Sequence, residues 1–382
     1  MNEREKIKNL KRIVFKLGTN IITGDNGNIA LSRVYALLEA IAELKTKGRE
    51  IILVTSGAVG MGKKVLPNSG NHDPISLKQA YAAVGQGHLM RFYEEAFEKF
   101  GIKIAQILLT ADDFSVRRKY LSLRNALNTL IELGVIPIIN ENDVISTSEL
   151  ESYKEYGVEV CFGDNDKLSA IVASKLDADV LVILSDVDGL YDGNPKIVKD
   201  AKLLSIIKEI TPEIESFCST ASEGGRGGMK TKIAAAKIAT HSGCVAIIAN
   251  GNARDVVRRI FSGEEIGTIF LPVEQLSGRK KWIAFATNIG SYIKVNSGAK
   301  KALIEKKASL MPVGIIEIKN SFKKGDVVGI IDEQDVEFAR GMVNYSSAEC
   351  KKVIGMHSDE IEQIFGFKNY DTVITRDNIV IL

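Results

Sequence analysis

At 382 residues, with 45% hydrophobic and 26% charged side chains, the chain has the makeup of a folded protein rather than a disordered one, and its length favours two cores over one. A net charge of +2, with residues 278–382 carrying 16 basic against 13 acidic side chains, is far from the clustered Lys and Arg of a nucleic-acid footprint. No apolar run reaches the roughly 20 residues that cross a bilayer, and four dispersed cysteines (Cys161, Cys218, Cys244, Cys350) and four dispersed histidines form no zinc or redox spacing.

The opening segment MNEREKIKNLKR is charged and lacks the apolar stretch of a signal peptide, so a cytoplasmic chain with reduced thiols is the expectation. Short β-branched runs then recur: Arg12–Leu17, Glu50–Thr55, Ile102–Leu109, Val135–Ile139, Val180–Leu184 and Val245–Ala249. Unbroken apolar runs of this length suit strands buried on both faces of a parallel sheet. Amphipathic stretches separate them. Ser32 is placed to cap a helix carrying Val34, Leu37, Leu38, Ile41 and Leu44, with Gly48 closing it, and further helices are expected near 76–99, 117–133, 166–177 and 229–242. This βαβ rhythm predicts an α/β domain over 1–275: an open, mainly parallel sheet sandwiched by helices. The rhythm ends near residue 275. LPVEQLSGRKKW reads as a linker, and short strands at Gly290–Val295, Gly314–Ile318, Asp326–Ile331 and Glu337–Met342, punctuated by turn residues, predict a small all-β domain over 276–382.

In open α/β sheets ligands bind beyond the carboxyl ends of the strands, and here those ends are polar. The first strand runs into Lys16-Leu17-Gly18-Thr19-Asn20 and the second into Thr55-Ser56-Gly57-Ala58. The third ends at Thr110, the fourth at Asn140-Glu141-Asn142-Asp143 and the fifth at Ser185-Asp186-Val187-Asp188-Gly189. Each alone is ordinary loop chemistry; the series, with a lysine at a strand end, points to an anion site. Ser56-Gly57-Ala58-Val59-Gly60 opens a helix whose bare N–H groups can hold an anion. Gly224-Gly225-Arg226-Gly227-Gly228 precedes Met229-Lys230-Thr231-Lys232, and its glycines let backbone approach phosphates closely. Gly163-Asp164-Asn165-Asp166-Lys167 starts another helix with more polar groups than capping needs. Neither GxxxxGK[ST] nor a GxGxxG after the first strand is present, which excludes a P-loop enzyme and disfavours a Rossmann dehydrogenase.

Taken in order over residues 11–250, these motifs resemble the amino acid kinase family, most closely its glutamate-phosphorylating branch. The matching stretches are Lys16–Thr19, Thr55–Ala58, Asn140–Asp143, Gly163–Asp166, Ser185–Tyr191 and Gly227–Lys232. Ala82-Ala83-Val84-Gly85-Gln86 is similar to a stretch used in that branch near substrate and in subunit contact. Farther on, Gly290, Val295-Asn296, Gly298-Ala299, Leu310–Ile315 and Lys324–Val328 resemble a PUA domain.

The resemblance implies transfer of phosphate from ATP to the γ-carboxylate of L-glutamate, with Mg²⁺, at the start of proline synthesis. It implies that Lys16 and Lys232 contact the transferring group and that Asp166 orients them. Ser56, Asp143 and Asn165 would hold glutamate. Lys16, Ser185, Asp186 and the segment Arg226, Gly227, Gly228, Met229, Lys230, Thr231 and Lys232 would hold ATP. A homo-oligomer with proline as feedback inhibitor is implied as well, whereas RNA binding by the PUA-like tail is poorly supported by its charge. The stretch Ser148–Cys161 looks longer than the family's usual loop. The competing readings are a family member acting on acetylglutamate, aspartate or carbamate, and an RNA-binding protein with a relic kinase domain.

Overall fold

The computed structural model describes the chain except for residues 1–2, 25–27, 67–69, 71, 111, 116, 147–164, 196, 199, 218–227, 274–282, 285–288 and 357–371. The described residues form two compact units, Met1–Gln275 and Leu276–Leu382.

The first unit is built on an eight-stranded sheet. In chain order its strands are β1 (Arg12–Leu17), β2 (Glu50–Val54), β3 (Ile104–Leu109), β4 (Ile136–Glu141), β5 (Val180–Ser185), β6 (Ile206–Ile207), β7 (Val245–Asn250) and β8 (Thr268–Phe270). Their order across the sheet is β3-β4-β2-β1-β5-β7-β8-β6. Strands β3, β4, β2, β1, β5 and β7 are parallel neighbours, and the short β8 returns antiparallel to β7.

The unbroken apolar runs follow from burial on both faces. Along β1, Ile13, Phe15 and Leu17 join a core with the helices Leu31–Thr46, Pro74–Glu98 and Val256–Phe261, while Val14 between them is equally buried. Alternate side chains point to opposite faces. The face that Val14 shares is covered by the helix Asn165–Lys175, which packs on β1 and against the helix Met229–His241.

Two sequence expectations shift in the structure. The helix at 31 begins at Leu31 with Ala30 as its N-cap; the Ala30 carbonyl accepts from Val34, so Ser32 lies inside the first turn and caps nothing. Gly48 does end it, with a φ of 83°. Strand β4 continues through Asn140 and Glu141, because both stay in register with Leu108 and Leu109 of β3.

The second unit has a five-stranded sheet: β9 (Tyr292–Val295), β10 (Ile315–Lys319), β11 (Val327–Ile331), β12 (Glu337–Met342) and β13 (Ile379–Ile381), ordered β10-β9-β11-β12-β13. Its own apolar cluster includes Ile293, Val328, Ile330, Tyr345 and Ile374. Among the described residues, two helices beside the sheet are not among the sequence expectations. Ser297–Lys306 is capped by the Asn296 side chain, and Ser347–Val353 by a reciprocal Ser346–Glu349 box. Among the described residues no helix is long and apolar enough to cross a membrane.

Candidate active site

Because β1, β2, β4 and β5 are parallel, their carboxyl ends lie along one edge of the sheet, where this topology places ligands. Lys16 stands one residue before the end of β1, and Asp166 in the first turn of the helix Asn165–Lys175. Lys232 stands in the first turn of the helix Met229–His241. The three side chains meet. Lys16 Nζ lies 2.6 Å from Asp166 Oδ1, and Lys232 Nζ lies 3.1 Å from Asp166 Oδ2. Thr231 Oγ1 donates to the same Oδ2 at 3.2 Å.

Burial of this cluster is nearly complete: Asp166 is 0% exposed, Lys232 4% and Lys16 6%. Burial by itself pushes a carboxyl's pKa up, but the charges of Lys16 and Lys232 and their hydrogen bonds outweigh it and hold Asp166 below the ordinary carboxylate range. Two ammonium groups share one carboxylate, so the cluster carries net positive charge in a region of low dielectric. Such a cluster attracts an anion strongly.

The neighbouring strand ends are tied to it by hydrogen bonds. Ser56 Oγ donates to the Leu17 carbonyl at 2.9 Å, joining the end of β2 to the end of β1. Gly57 follows at a φ of 100°, a left-handed conformation that glycine adopts without strain, and caps the helix Ala58–Val65 with no side chain on its N–H groups. This helix is held close to its neighbour Pro74–Glu98. A Cβ on Gly85 would lie 1.7 Å from the Ala58 carbonyl oxygen, and one on Gly62 would lie 1.8 Å from that of Tyr81.

Asn165 Nδ2 donates to the Thr55 carbonyl at 2.9 Å and to Asn140 Oδ1 at 3.1 Å. Asn140 Oδ1 also accepts from the Glu141 N–H at 2.9 Å, and Asn140 Nδ2 donates to Gln86 Oε1 at 2.9 Å. Asp143 sits half-buried in the turn leaving β4.

On the other side of β1, Ser185 Oγ donates to Asp186 Oδ1 at 3.0 Å, and Asn20 Nδ2 donates to Asp186 Oδ2 at 2.9 Å. Partial burial pushes the Asp186 carboxyl up, but the bonds from Asn20 and Ser185 and the charge of Lys232 bring it below the usual range. Gly228 is the N-cap of the helix Met229–His241 and, like Gly57, leaves the first N–H groups without a side-chain acceptor. Met229 is half-buried and Lys230 exposed, so Lys230 stands apart from the buried lysine pair. Arg226 and Gly227, along with Gly163, Asp164 and the Ser148–Cys161 stretch, lie outside the described residues.

The structure thus brings Lys16, Asp166, Lys232, Thr231, Ser56 and Asn165 into one connected group, with Ser185 and Asp186 linked through Asn20. The sequence singles out no individual role for Asn140 or Asn20, and it places Gln86 only within a stretch whose resemblance implies nearness to substrate and subunit contact. The signal for Gln86 was present: it is a lone amide on the buried stripe of Tyr81, Ala82, Gly85, Leu89 and Tyr93.

Comparison with known proteins bears on the same residues. The model described as "Amino acid kinase family" matches residues 11–250. The chain belongs to the amino acid kinase family. Within that family its full-length relatives include the glutamate 5-kinase of Methanosarcina mazei, 46% identical over 100% of this chain and 99% of the relative. The glutamate 5-kinase of Methanosarcina acetivorans is 47% identical with the same coverage. That of Caldanaerobacter subterraneus subsp. tengcongensis is 45% identical over 97% of this chain and 98% of the relative. A PUA domain model matches residues 291–365, inside the second unit.

Proposed function

We propose that this amino acid kinase transfers the γ-phosphoryl group of ATP to the γ-carboxylate of L-glutamate, releasing ADP and L-glutamyl 5-phosphate, the first intermediate of proline synthesis. The observation that carries this reading is the buried Lys16–Asp166–Lys232 cluster at the strand ends.

A glutamate γ-carboxylate has a reference pKa of about 4.3 and is ionised at neutral pH, so it attacks phosphorus without a general base. A carboxylate oxygen forms the new bond to the γ-phosphorus, and the bond to the bridging oxygen breaks, leaving ADP with the electron pair. No proton moves. The obstacle is the approach of one anion to another, with charge spread over the oxygens of the transferred group. Lys16 and Lys232 offset that charge from fixed positions, and fixed cations cost no reorganisation at the moment of transfer. Asp166, giving one oxygen to each, holds them apart and oriented.

Ser56, Asn165 and Asp143 would hold glutamate, with Asp143 pairing with the α-ammonium. Ser185, Asp186 and the turn from Gly228 to Lys232 would hold ATP, together with Arg226 and Gly227. Mg²⁺ would arrive on the nucleotide and neutralise charge on its phosphates. Among the described residues no group of three or more His, Cys, Asp or Glu side chains is placed to hold an ion. Proline is proposed as an inhibitor, since it shares the α-carboxylate and ammonium end of glutamate.

A substrate panel read by coupled ADP release tests the assignment. Glutamate should support turnover, and acetylglutamate, aspartate and carbamate should not; a preference for any of these three moves the chain to another branch of the family.

A further inference from the structure

The amides of Asn165, Asn140 and Gln86 form a relay whose orientation is fixed by backbone groups at Asn165 and Asn140. Asn165 Nδ2 donates to the Thr55 carbonyl, so its amide cannot be reversed without losing that bond. Asn140 Oδ1 accepts from the Glu141 N–H and from Asn165, so its Nδ2 must face Gln86 Oε1. The relay leaves two buried atoms with no hydrogen-bond partner among the described residues: Gln86 Nε2, a donor, and Asn165 Oδ1, an acceptor. Gln86 is only 8% exposed. Buried amides are seldom left unpaired, and an orphan inside a site marks a group that a ligand satisfies.

Position along the sheet says which part of the ligand. From the lysines outward, the strand order is β1, β2, β4. Lys16 lies on β1, Asn165 is bonded to the end of β2, Asn140 lies on β4, and Gln86, on the helix Pro74–Glu98, is bonded to Asn140. Strands are about 4.8 Å apart, so Asn140, which Gln86 holds, is two strands or roughly 10 Å across the sheet from Lys16. An amino acid whose γ-carboxylate reaches the lysines directs its α-carbon end toward β4. Resting on the glutamate reading above, we propose that Gln86 is a specificity-determining residue: its Nε2 donates to the substrate's α-carboxylate, while its Oε1 holds Asn140 in place.

Two variants separate this role from a purely structural one. Gln86→Glu keeps an oxygen for Asn140 Nδ2 and replaces the donor with a second oxygen that repels a carboxylate. Gln86→Met removes both. Since a hydrogen bond to a charged group is worth about tenfold in affinity or more, Gln86→Glu should raise KM for glutamate about tenfold or more, with KM for ATP unchanged within about twofold. If Gln86 only supports Asn140, Gln86→Glu keeps the wild-type KM and Gln86→Met alone is impaired, which overturns the proposal. Should Gln86→Glu fold poorly, Gln86→Met decides by thermal shift. The proposal requires a loss of most of the glutamate-induced rise in Tm, on top of the lowering expected when Asn140 Nδ2 loses its acceptor; a glutamate-induced rise that stays intact contradicts it. Wild-type enzyme that makes no ADP with glutamate refutes the substrate reading itself, whereas an active wild type with Gln86→Glu at the same KM refutes only the role of Gln86.

Discussion

Asp166 holds two buried lysines apart by giving each one oxygen. Asp166→Asn leaves two ammonium groups facing a neutral amide, and breaking a buried ion pair of this kind costs about 3–5 kcal/mol. The native pKa of Asp166 is depressed, so its stabilising contribution is complete above the unfolded value of about 3.9 and disappears as pH falls through the native value. The Tm gap between wild type and Asp166→Asn should therefore be constant from pH 6 to 8 and narrow below about pH 4; an undiminished gap at pH 3 contradicts the assignment. Lys16→Ala and Lys232→Ala each leave Asp166 one lysine besides the Thr231 hydroxyl, so the fold should survive while kcat falls well over about tenfold, and near-normal turnover in both would remove the lysines from the mechanism. At this scale the sequence shows which residue types end the strands and start the helices, since Lys16, Asp166 and Lys232 all sit at such junctions. It does not show that one carboxylate bridges both lysines, because that contact joins elements far apart in the chain. Asn140 is hidden for another reason: a polar residue after an apolar run reads as a loop until pairing with β3 shows the strand continuing.

Two helices set the geometry just beyond the end of β2. The glycine contacts between Ala58–Val65 and Pro74–Glu98 press the two backbones together and fix where the N-terminus at Gly57 points. Gly85→Ala places a methyl group against the Ala58 carbonyl, an overpacking that costs about 1–3 kcal/mol or more. The expected result is a Tm lower by several degrees with a raised KM for glutamate, and an unchanged Tm would show that the helices can part freely. Lys175, at the far end of the Asn165–Lys175 helix, is 3% exposed, with its Nζ 5.2 Å from the Tyr120 ring centroid. Burial lowers its pKa to about 7. Between pH 7 and 10 the unfolded chain then holds a proton that the native protein has released, so stability rises with pH by up to about 1.4 kcal/mol per unit. Lys175→Met should remove that rise, as measured by denaturant midpoints at pH 7 and 9; equal pH dependence in both proteins contradicts it. The longer elements were legible because their pattern spans enough residues: an unbroken apolar run in β1 and helical spacing of apolar residues in Leu31–Thr46. Strands β6, β8 and β13 run three residues or fewer and show no period, and Ser32 resembles a cap although Ala30 occupies that position.

Across the whole molecule, each unit owns a core: Ile13, Phe15, Leu38, Phe97 and Val182 are in the first, and Ile293, Val328 and Ile374 in the second. The change from βαβ rhythm to short strands marks the passage between them in the sequence. The lysine pair, the bare helix N-termini and the amide relay all belong to the first unit, so the phosphoryl-transfer chemistry is proposed to reside there. The most direct test of that chemistry uses the lability of its product. Incubated with ATP, Mg²⁺, glutamate and hydroxylamine, the full-length protein should yield ADP and γ-glutamyl hydroxamate in equal amounts. Both should vanish when glutamate is omitted and fall sharply in Lys232→Ala. ADP released without hydroxamate, or hydroxamate formed equally well by Lys232→Ala, would contradict transfer to the γ-carboxylate at this site.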